Sequence, residues 1–256
     1  MRYPHALLTL QAACCLVFFA ATTVYGQTAV KGKAVFKGTP AKLRPISMDA
    51  DPACAAKHKG TVLPETSVIA ADGSLKNVFV YVSKGLEGKN FPTPSTPVVL
   101  DQSGCEYVPH VFGIMPNQQF KVVNSDATTH NVHAMGQANP EFNMGQRAGA
   151  PPILKTFTKP EVTIPILCNQ HPWMRAVAHV VSNPFYAVTD EKGAFDLKGL
   201  PPGKYTITGI HEKYGTQNQE ITVVAGKPVP AVNFTFTSGT ASVESPLKVL
   251  PAMVIE

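Results

Sequence analysis

Residues 161–181, EVTIPILCNQHPWMRAVAHVV, contain an apolar run, a loop-like segment and a second apolar run. Val162–Leu167 and Ala176–Val181 are rich in β-branched and apolar side chains, which favours two strands joined by a loop. Similar short runs recur along the chain between turn signals such as Leu200–Gly203. The best helical candidate is Asp51–Lys59, which opens with Asp-Pro and stops at a glycine. The sequence therefore predicts an all-β fold, as a sandwich or a Greek-key arrangement.

The overall composition agrees with short strands joined by turns. The chain of 256 residues is 44% hydrophobic, only 15% charged, and contains 23 prolines. That charged fraction is well below the roughly 25% of an average soluble protein, which leaves little room for long surface helices. The net charge of +5 is spread without a basic cluster, so we expect no nucleic-acid partner.

The N-terminus has the pattern of a secretory signal peptide. Arg2 precedes the uncharged, mostly apolar run Ala6–Ala21, and Gly26 is suited to the cleavage position. An uncleaved membrane anchor is the alternative, but the run is slightly short for a span and no second apolar run of that length follows. We expect cleavage after residue 26, no membrane span in the mature chain, and a periplasmic, secreted or cell-surface location.

Signal-peptide cleavage also changes the number of cysteines. It removes Cys14 and Cys15 and leaves Cys54, Cys105 and Cys168. In an oxidising compartment two of the three are expected to pair, which leaves one thiol for another task.

Four side chains form a candidate metal site. Cys168, His171 and Met174 follow an apolar strand at spacings of three and three, and His130 lies at the end of an earlier strand-like run. One thiolate, two imidazoles and a weak thioether suit a mononuclear copper ion that alternates between Cu(I) and Cu(II). The sequence predicts these four residues as copper ligands.

Zinc is the main competing metal, because His133 would complete a tetrahedral site of one cysteine and three histidines. However, His133 follows His130 by three residues in a strand-like run, so the two rings should point to opposite faces. We therefore expect His133 to lie beside the site or at the surface. No spacing links His110 or His179 to the site, and a contribution from His133 or His110 stays open.

The spacing of these ligands resembles that of a known family. His130-Asn131-Val132-His133, followed by Cys168-x2-His171-Pro172-Trp173-Met174, is similar to the cupredoxins, and most of all to their amicyanin and plastocyanin branch. The resemblance implies a cupredoxin-like Greek-key β-sandwich with type-1 copper as its cofactor. It further implies that His130, Cys168 and His171 form the trigonal plane and that Met174 is the axial contact.

The resemblance also implies roles for three neighbouring residues. Asn131 would tie the two ligand loops together by hydrogen bonds. Trp173 would contribute to an apolar patch around an exposed edge of His171, through which electrons pass to a docked partner. Pro172 would stiffen the loop and remove a backbone donor.

A disulfide follows from this assignment of the copper thiolate. If Cys168 binds copper, Cys54 and Cys105 are the natural pair in a secreted protein. A bridge from Cys168 to either of them would abolish the copper site, and the sequence alone does not decide the connectivity.

The C-terminal part resembles a second family. Phe185–Phe195 and Gly199–Ile207 are similar to carboxypeptidase regulatory-like domains, which are small transthyretin-like β-sandwiches without implied peptidase activity. The predicted organisation is a signal peptide (1–26), a cupredoxin-like copper domain with an N-terminal extension (27–183), this small sandwich (184–237) and a C-terminal tail (238–256).

The expected function is single-electron transfer between redox protein partners by an extracytoplasmic type-1 copper protein that is not itself an enzyme. Two alternatives remain. The first is a copper-binding or storage protein without a redox role, and the second is a surface binding or adhesion module.

Overall fold

The computed structural model describes residues 28–239, and these are almost entirely β-structure. The all-β prediction is confirmed. The predicted signal peptide and residues 240–256 of the predicted tail lie outside the described residues. The strands are β1 (Thr28–Phe36), β2 (Phe79–Lys84), β3 (Val98–Ser103), β4 (Glu106–Val108), β5 (Val111–Ile114), β6 (Gln119–Asn124), β7 (His130–Ala134), β8 (Phe142–Gln146), β9 (Ile153–Thr156), β10 (Glu161–Leu167), β11 (Arg175–Val180), β12 (Tyr186–Val188), β13 (Ala194–Leu200), β14 (Gly203–His211), β15 (Gly215–Val223) and β16 (Val232–Phe236).

Strands β3 to β11 form the first sandwich. Its two sheets have the strand orders β4-β3-β6-β9 and β5-β11-β10-β7-β8. Alternate side chains of both sheets point inward, and the core between them includes the fully buried Leu100, Phe120, Ile164 and Ile166. Within the second sheet β10 pairs with both β7 and β11. The start of β7 and the loop from β10 to β11 therefore lie at the same end of the sandwich.

The second sandwich is assembled from both ends of the described chain. Its sheets have the orders β13-β1-β16 and β12-β2-β14-β15. Strand β1 pairs with β13 and β16, and β2 pairs with β12 and β14. The predicted organisation has residues 27–183 in one copper domain with an N-terminal extension, whereas the pairing of β1 and β2 completes the C-terminal sandwich. The first sandwich is thus inserted between β2 and β12.

The two sandwiches share a small apolar contact. Phe79 of β2 packs with Val111, Val177 and Val181 from the first sandwich. The ring of Phe79 also stacks on His179, with centroids 4.2 Å apart and planes 3° apart. His179 is buried at this contact, with only 2% of its surface exposed.

A segment between β1 and β2 crosses to the first sandwich. It contains the single-turn helix α1 (Pro52–Ala55), which begins at the Asp51 cap as predicted but ends earlier than the predicted Lys59. Cys54 of α1 lies in the core of the first sandwich and forms a disulfide with Cys105, which confirms the predicted pairing. Residues 28–239 contain no helix that is long and apolar enough to cross a membrane.

Candidate metal centre

Three of the four predicted ligands meet at one end of the first sandwich. The Nδ1 atoms of His130 and His171 are 2.9 Å apart, and the Sγ atom of Cys168 is 3.7 Å from Nδ1 of His171. All three residues are buried: His130 is 0% exposed, His171 is 4% exposed and Cys168 is 3% exposed. Two imidazole nitrogens and a free thiol therefore face one another in a site that is shielded from water.

The loop that carries Cys168 and His171 is closed by its own backbone. The N–H of Cys168 donates to the carbonyl of Met174 at 3.1 Å, and the N–H of Met174 donates to the carbonyl of His171 at 2.9 Å. These bonds continue the pairing of Leu167 with Arg175 at the ends of β10 and β11. Met174 is buried, at 1% exposure, whereas Pro172 lies exposed on the same loop.

Asn131 connects the two segments that carry the ligands. Its Oδ1 atom accepts a hydrogen bond from the N–H of Asn169 at 2.8 Å and lies 3.3 Å from Sγ of Cys168. Its Nδ2 atom donates to Asn143 on β8 at 2.7 Å. Because Asn131 follows His130 directly, these bonds hold the start of β7 against the loop, which is the role that the cupredoxin resemblance implies for Asn131.

Tyr107 supports the same junction from the opposite sheet. Its buried hydroxyl donates to the carbonyls of Asn131 and Leu167. Asn131 directly follows His130, and Leu167 directly precedes Cys168. Burial raises the pKa of Tyr107, and the neighbouring Cys168 adds to this effect. The phenol therefore stays a neutral donor that joins β7 to β10.

Asp126 forms a hydrogen bond with the outer nitrogen of His130. Its Oδ2 atom is 3.0 Å from Nε2 of His130, and both side chains are almost fully buried. Burial by itself would raise the pKa of Asp126, but hydrogen bonds from the N–H groups of Cys105 and Gly104 and from His130 lower it overall. Burial is also the main reason that the pKa of His130 is lowered, against the opposing effect of Asp126.

Asp51 backs the outer nitrogen of His171. Its Oδ2 atom is 3.0 Å from Nε2 of His171, and this hydrogen bond is the main reason that the pKa of Asp51 is lowered. The His171 side chain is only 6% exposed. The expectation of an exposed His171 edge is therefore wrong, because α1 and its Asp51 cap lie over that edge.

Trp173 is half-buried and does not frame an open histidine edge. Its Nε1 atom donates to the carbonyl of Cys105 at 3.0 Å, and its ring centroid is 5.1 Å from that of His171. The indole thus packs beside the imidazole and binds the ligand loop to the disulfide.

His133 is turned away from the three facing ligand atoms. Its Nε2 atom is 2.6 Å from Glu141 and its Nδ1 atom is 3.1 Å from the side-chain oxygen of Asn169. His110 lies elsewhere, in a buried ion pair with Glu212. The zinc alternative requires His133 to turn inward and break both of its contacts.

The chemistry of the donors fits a copper ion. Among residues 28–239, three groups of side chains have ligand atoms within 4.8 Å of one another, but two of these groups include Cys54 or Cys105. Both of those sulfurs are in the disulfide, which leaves His130, Cys168 and His171 as the available set. Imidazole nitrogens that point inward, with carboxylates on their outer nitrogens, are the usual arrangement of metal-binding histidines.

Comparisons with known proteins find one matching family model and several similar solved structures. Residues 176–237 match the family model of the carboxypeptidase regulatory-like domain. Similar solved structures include amicyanin in the oxidised P94A form, with 23% identity and a TM-score of 0.29 over 33% of this chain and 82% of that chain. They also include a purple cupredoxin from Nitrosopumilus maritimus, with 17% identity and a TM-score of 0.28 over 32% of this chain and 98% of that chain.

A larger copper protein is also among the similar structures. The Cu-containing nitrite reductase NirK from Thermus scotoductus SA-01 is 23% identical with a TM-score of 0.32, over 38% of this chain and only 24% of the reductase. No curated protein matches the chain in sequence. These likenesses are partial and cover 38%, 33% and 32% of this chain for the reductase, amicyanin and the purple cupredoxin.

Three residues of the site were not assigned a role from the sequence. Asp51 lies 120 residues before His171, which it contacts. Tyr107 lies 24 residues before its partner Asn131, and Asp126 lies 4 residues before His130. The position of Asp126, four residues before His130, is a local signal that could have found it, whereas Asp51 was expected only as the start of a helix.

Proposed function

We propose that the chain is an extracytoplasmic type-1 copper protein that transfers single electrons between redox partners. The observation that carries this proposal is the buried group of His130, Cys168 and His171, in which two Nδ1 atoms and one free sulfur face one another. Met174 follows on the same closed loop and is proposed as the weak axial ligand. A bound copper ion would supply a centre that gains and loses one electron.

The surrounding residues suit this role because they fix the ligands before any metal binds. Asn131 and Tyr107 join the two strands that carry the ligands, and Asp51 and Asp126 orient the two imidazoles. Ligands held in one geometry rearrange little when the charge of the centre changes. A buried site also excludes water as a competing ligand, which favours rapid and reversible transfer.

The disulfide and the single site support the remaining parts of the proposal. A buried Cys54–Cys105 bridge is expected in an oxidising compartment, which agrees with the predicted signal peptide and a periplasmic or secreted location. The candidate ligand groups of residues 28–239 all lie around His130 and His171. We therefore propose one redox centre that passes electrons and has no catalytic activity of its own.

One observation favours a second candidate, a protein that holds Cu(I) without a redox task. The outer edge of His171 is covered by Asp51 instead of being open to a partner. The same soft ligands would hold Cu(I) in such a protein.

The two candidates differ in what the copper-loaded protein does on oxidation. Electron transfer predicts one copper per chain, a strong visible charge-transfer band in the Cu(II) state, and reversible voltammetry. Cys168→Ser should remove the band, whereas the matched variant His133→Ala should keep it, because His133 contacts Glu141 outside the ligand set. A colourless protein that binds only Cu(I) would favour the storage role, and equal loss of copper in both variants would show a different ligand set.

A further inference from the structure

His130 and His171 each have a carboxylate on their outer nitrogen, but the two carboxylates come from different parts of the chain. Asp126 lies four residues before His130 in the same sandwich, so its contact is local. Asp51 is 120 residues from His171 and comes from the segment that links β1 and β2 of the other sandwich. A contact across such a distance in sequence persists only if the segment that supplies it is held in place.

Each carboxylate oxygen of Asp51 has its own partners. Oδ1 accepts hydrogen bonds from the N–H groups of Ala53 and Cys54 at 2.8 and 3.2 Å and so caps α1. Oδ2 accepts from Thr128 at 3.1 Å and from Nε2 of His171 at 3.0 Å. The carboxylate is thus fixed in one orientation in which a single oxygen faces the imidazole.

The segment that carries Asp51 is fastened on both sides of the site. Cys54 is bonded to Cys105. Nε2 of His58 is 2.7 Å from the carbonyl of Gly104, and the amino group of Lys57 is 3.6 Å from Asp126. These contacts hold residues 51–58 across the end of the sandwich and over the outer edge of His171.

We infer that Asp51 is a positioning residue for the copper ligand His171. Its carboxylate accepts a hydrogen bond from the Nε2–H group, so that the Nδ1 lone pair faces His130 and Cys168. Its negative charge also stabilises the more positive Cu(II) state relative to Cu(I), because a carboxylate on the outer nitrogen raises the basicity of a ligand imidazole. The effect of Asp51 on the reduction potential rests on the proposed function. The orientation of the His171 ring rests on the hydrogen bond alone.

Asp51→Asn is the sharpest test because it changes one atom of the carboxylate. If the amide oxygen stays on the helix cap, the amide nitrogen faces Nε2 and two donors oppose each other. If the amide flips, its nitrogen opposes the N–H groups of Ala53 and Cys54. The matched control is Asp49→Asn, since Asp49 is exposed on the same segment and its carboxylate accepts a bond from Ser47.

Two measurements on wild type and both variants decide the inference. The first is the reduction potential of the copper protein. Loss of a partner that orients a metal-bound histidine changes metal affinity by roughly ten-fold or more. A ten-fold loss in the ratio of Cu(II) to Cu(I) affinity corresponds to about 59 mV for one electron, so the potential of the Asp51→Asn variant should rise by about that amount.

The second measurement needs no copper. In the 15N-labelled metal-free protein, the Nε2 proton of His171 should exchange slowly with water in wild type and Asp49→Asn, and rapidly in Asp51→Asn. A folded Asp51→Asn protein with an unchanged potential and an unchanged slow proton would overturn the inference. If that variant does not fold, Thr128→Val takes its place, because it removes only the second partner of Oδ2 and should give the same changes in smaller measure.

The two measurements also separate the inference from the proposed function. Failure of the wild-type protein to bind copper would overturn the proposed function and the effect on the potential. In that case a rapidly exchanging His171 proton in wild type would overturn the positioning role as well. A blue wild type whose potential matches that of Asp51→Asn would leave electron transfer standing and reject the effect of Asp51 on the potential.

Discussion

Removal of the Cys54–Cys105 disulfide tests how firmly α1 is held over the site. The bridge closes a loop with a sequence separation of 51 residues. The loop-closure relation gives an entropy of about 14 cal/mol/K for a loop of that length, which is about 4 kcal/mol at 25 °C. We expect the double variant Cys54→Ala/Cys105→Ala to lose about that much free energy of unfolding, and to release Asp51 from His171.

The assay is urea denaturation of the metal-free proteins, followed by circular dichroism. Cys168→Ala is the matched control, because it also truncates a buried cysteine but breaks no covalent loop. We expect the control to lose only about 1 kcal/mol through the small cavity. A double variant within about 1 kcal/mol of wild type would show that the bridge does not restrain the segment. A large loss of stability with an unchanged His171 proton would show that other contacts hold Asp51.

Three further predictions concern the rest of the molecule. Burial lowers the pKa of His179 to about 3 in the folded protein, whereas the pKa in the unfolded chain is about 6.5. Because the unfolded chain binds the proton first, the free energy of unfolding falls as the pH drops below about 6.5. The loss is about 2 kcal/mol at pH 5. His179→Asn should flatten this acid loss in urea titrations at pH 7 and 5, whereas Phe79→Leu, which removes the stacked ring alone, should not. Glu212→Gln should cost about 3 kcal/mol near pH 6, since it leaves the buried His110 without its charged partner, and a loss below 1 kcal/mol would refute the pair's role. Met174→Leu should keep the blue colour and raise the reduction potential, and an unchanged potential would exclude Met174 from the metal.

The grouping of Cys168 and His171 with His130 could be predicted because it depends largely on local features of the chain. Cys168, His171 and Met174 follow a strand in one short loop, so their proximity needs no knowledge of the fold. His130 could be added because ligand chemistry requires another imidazole and a strand end supplies one. His133 could be set aside because side chains three apart on a strand point to opposite faces, and the structure turns it to Glu141.

The long-range parts of the structure were not predictable in the same way. Strand β1 has a strand-like apolar pattern that fits either sandwich, and only its pairing with β13 and β16 decides between them. The exposed edge expected for His171 was wrong for a similar reason. A cover supplied by Asp51 depends on where a segment 120 residues away crosses the fold, and no local pattern encodes that path.

The most direct test of the proposed copper site is the visible and electron paramagnetic resonance spectrum of the mature protein during titration with Cu(II). The ligand set of His130, Cys168 and His171 predicts a strong thiolate-to-copper band that saturates at one copper per chain and disappears on reduction. The band should be absent from Cys168→Ser. A wild-type protein that saturates with Cu(II) without this band, or that shows the same spectrum after Cys168→Ser, would contradict the site.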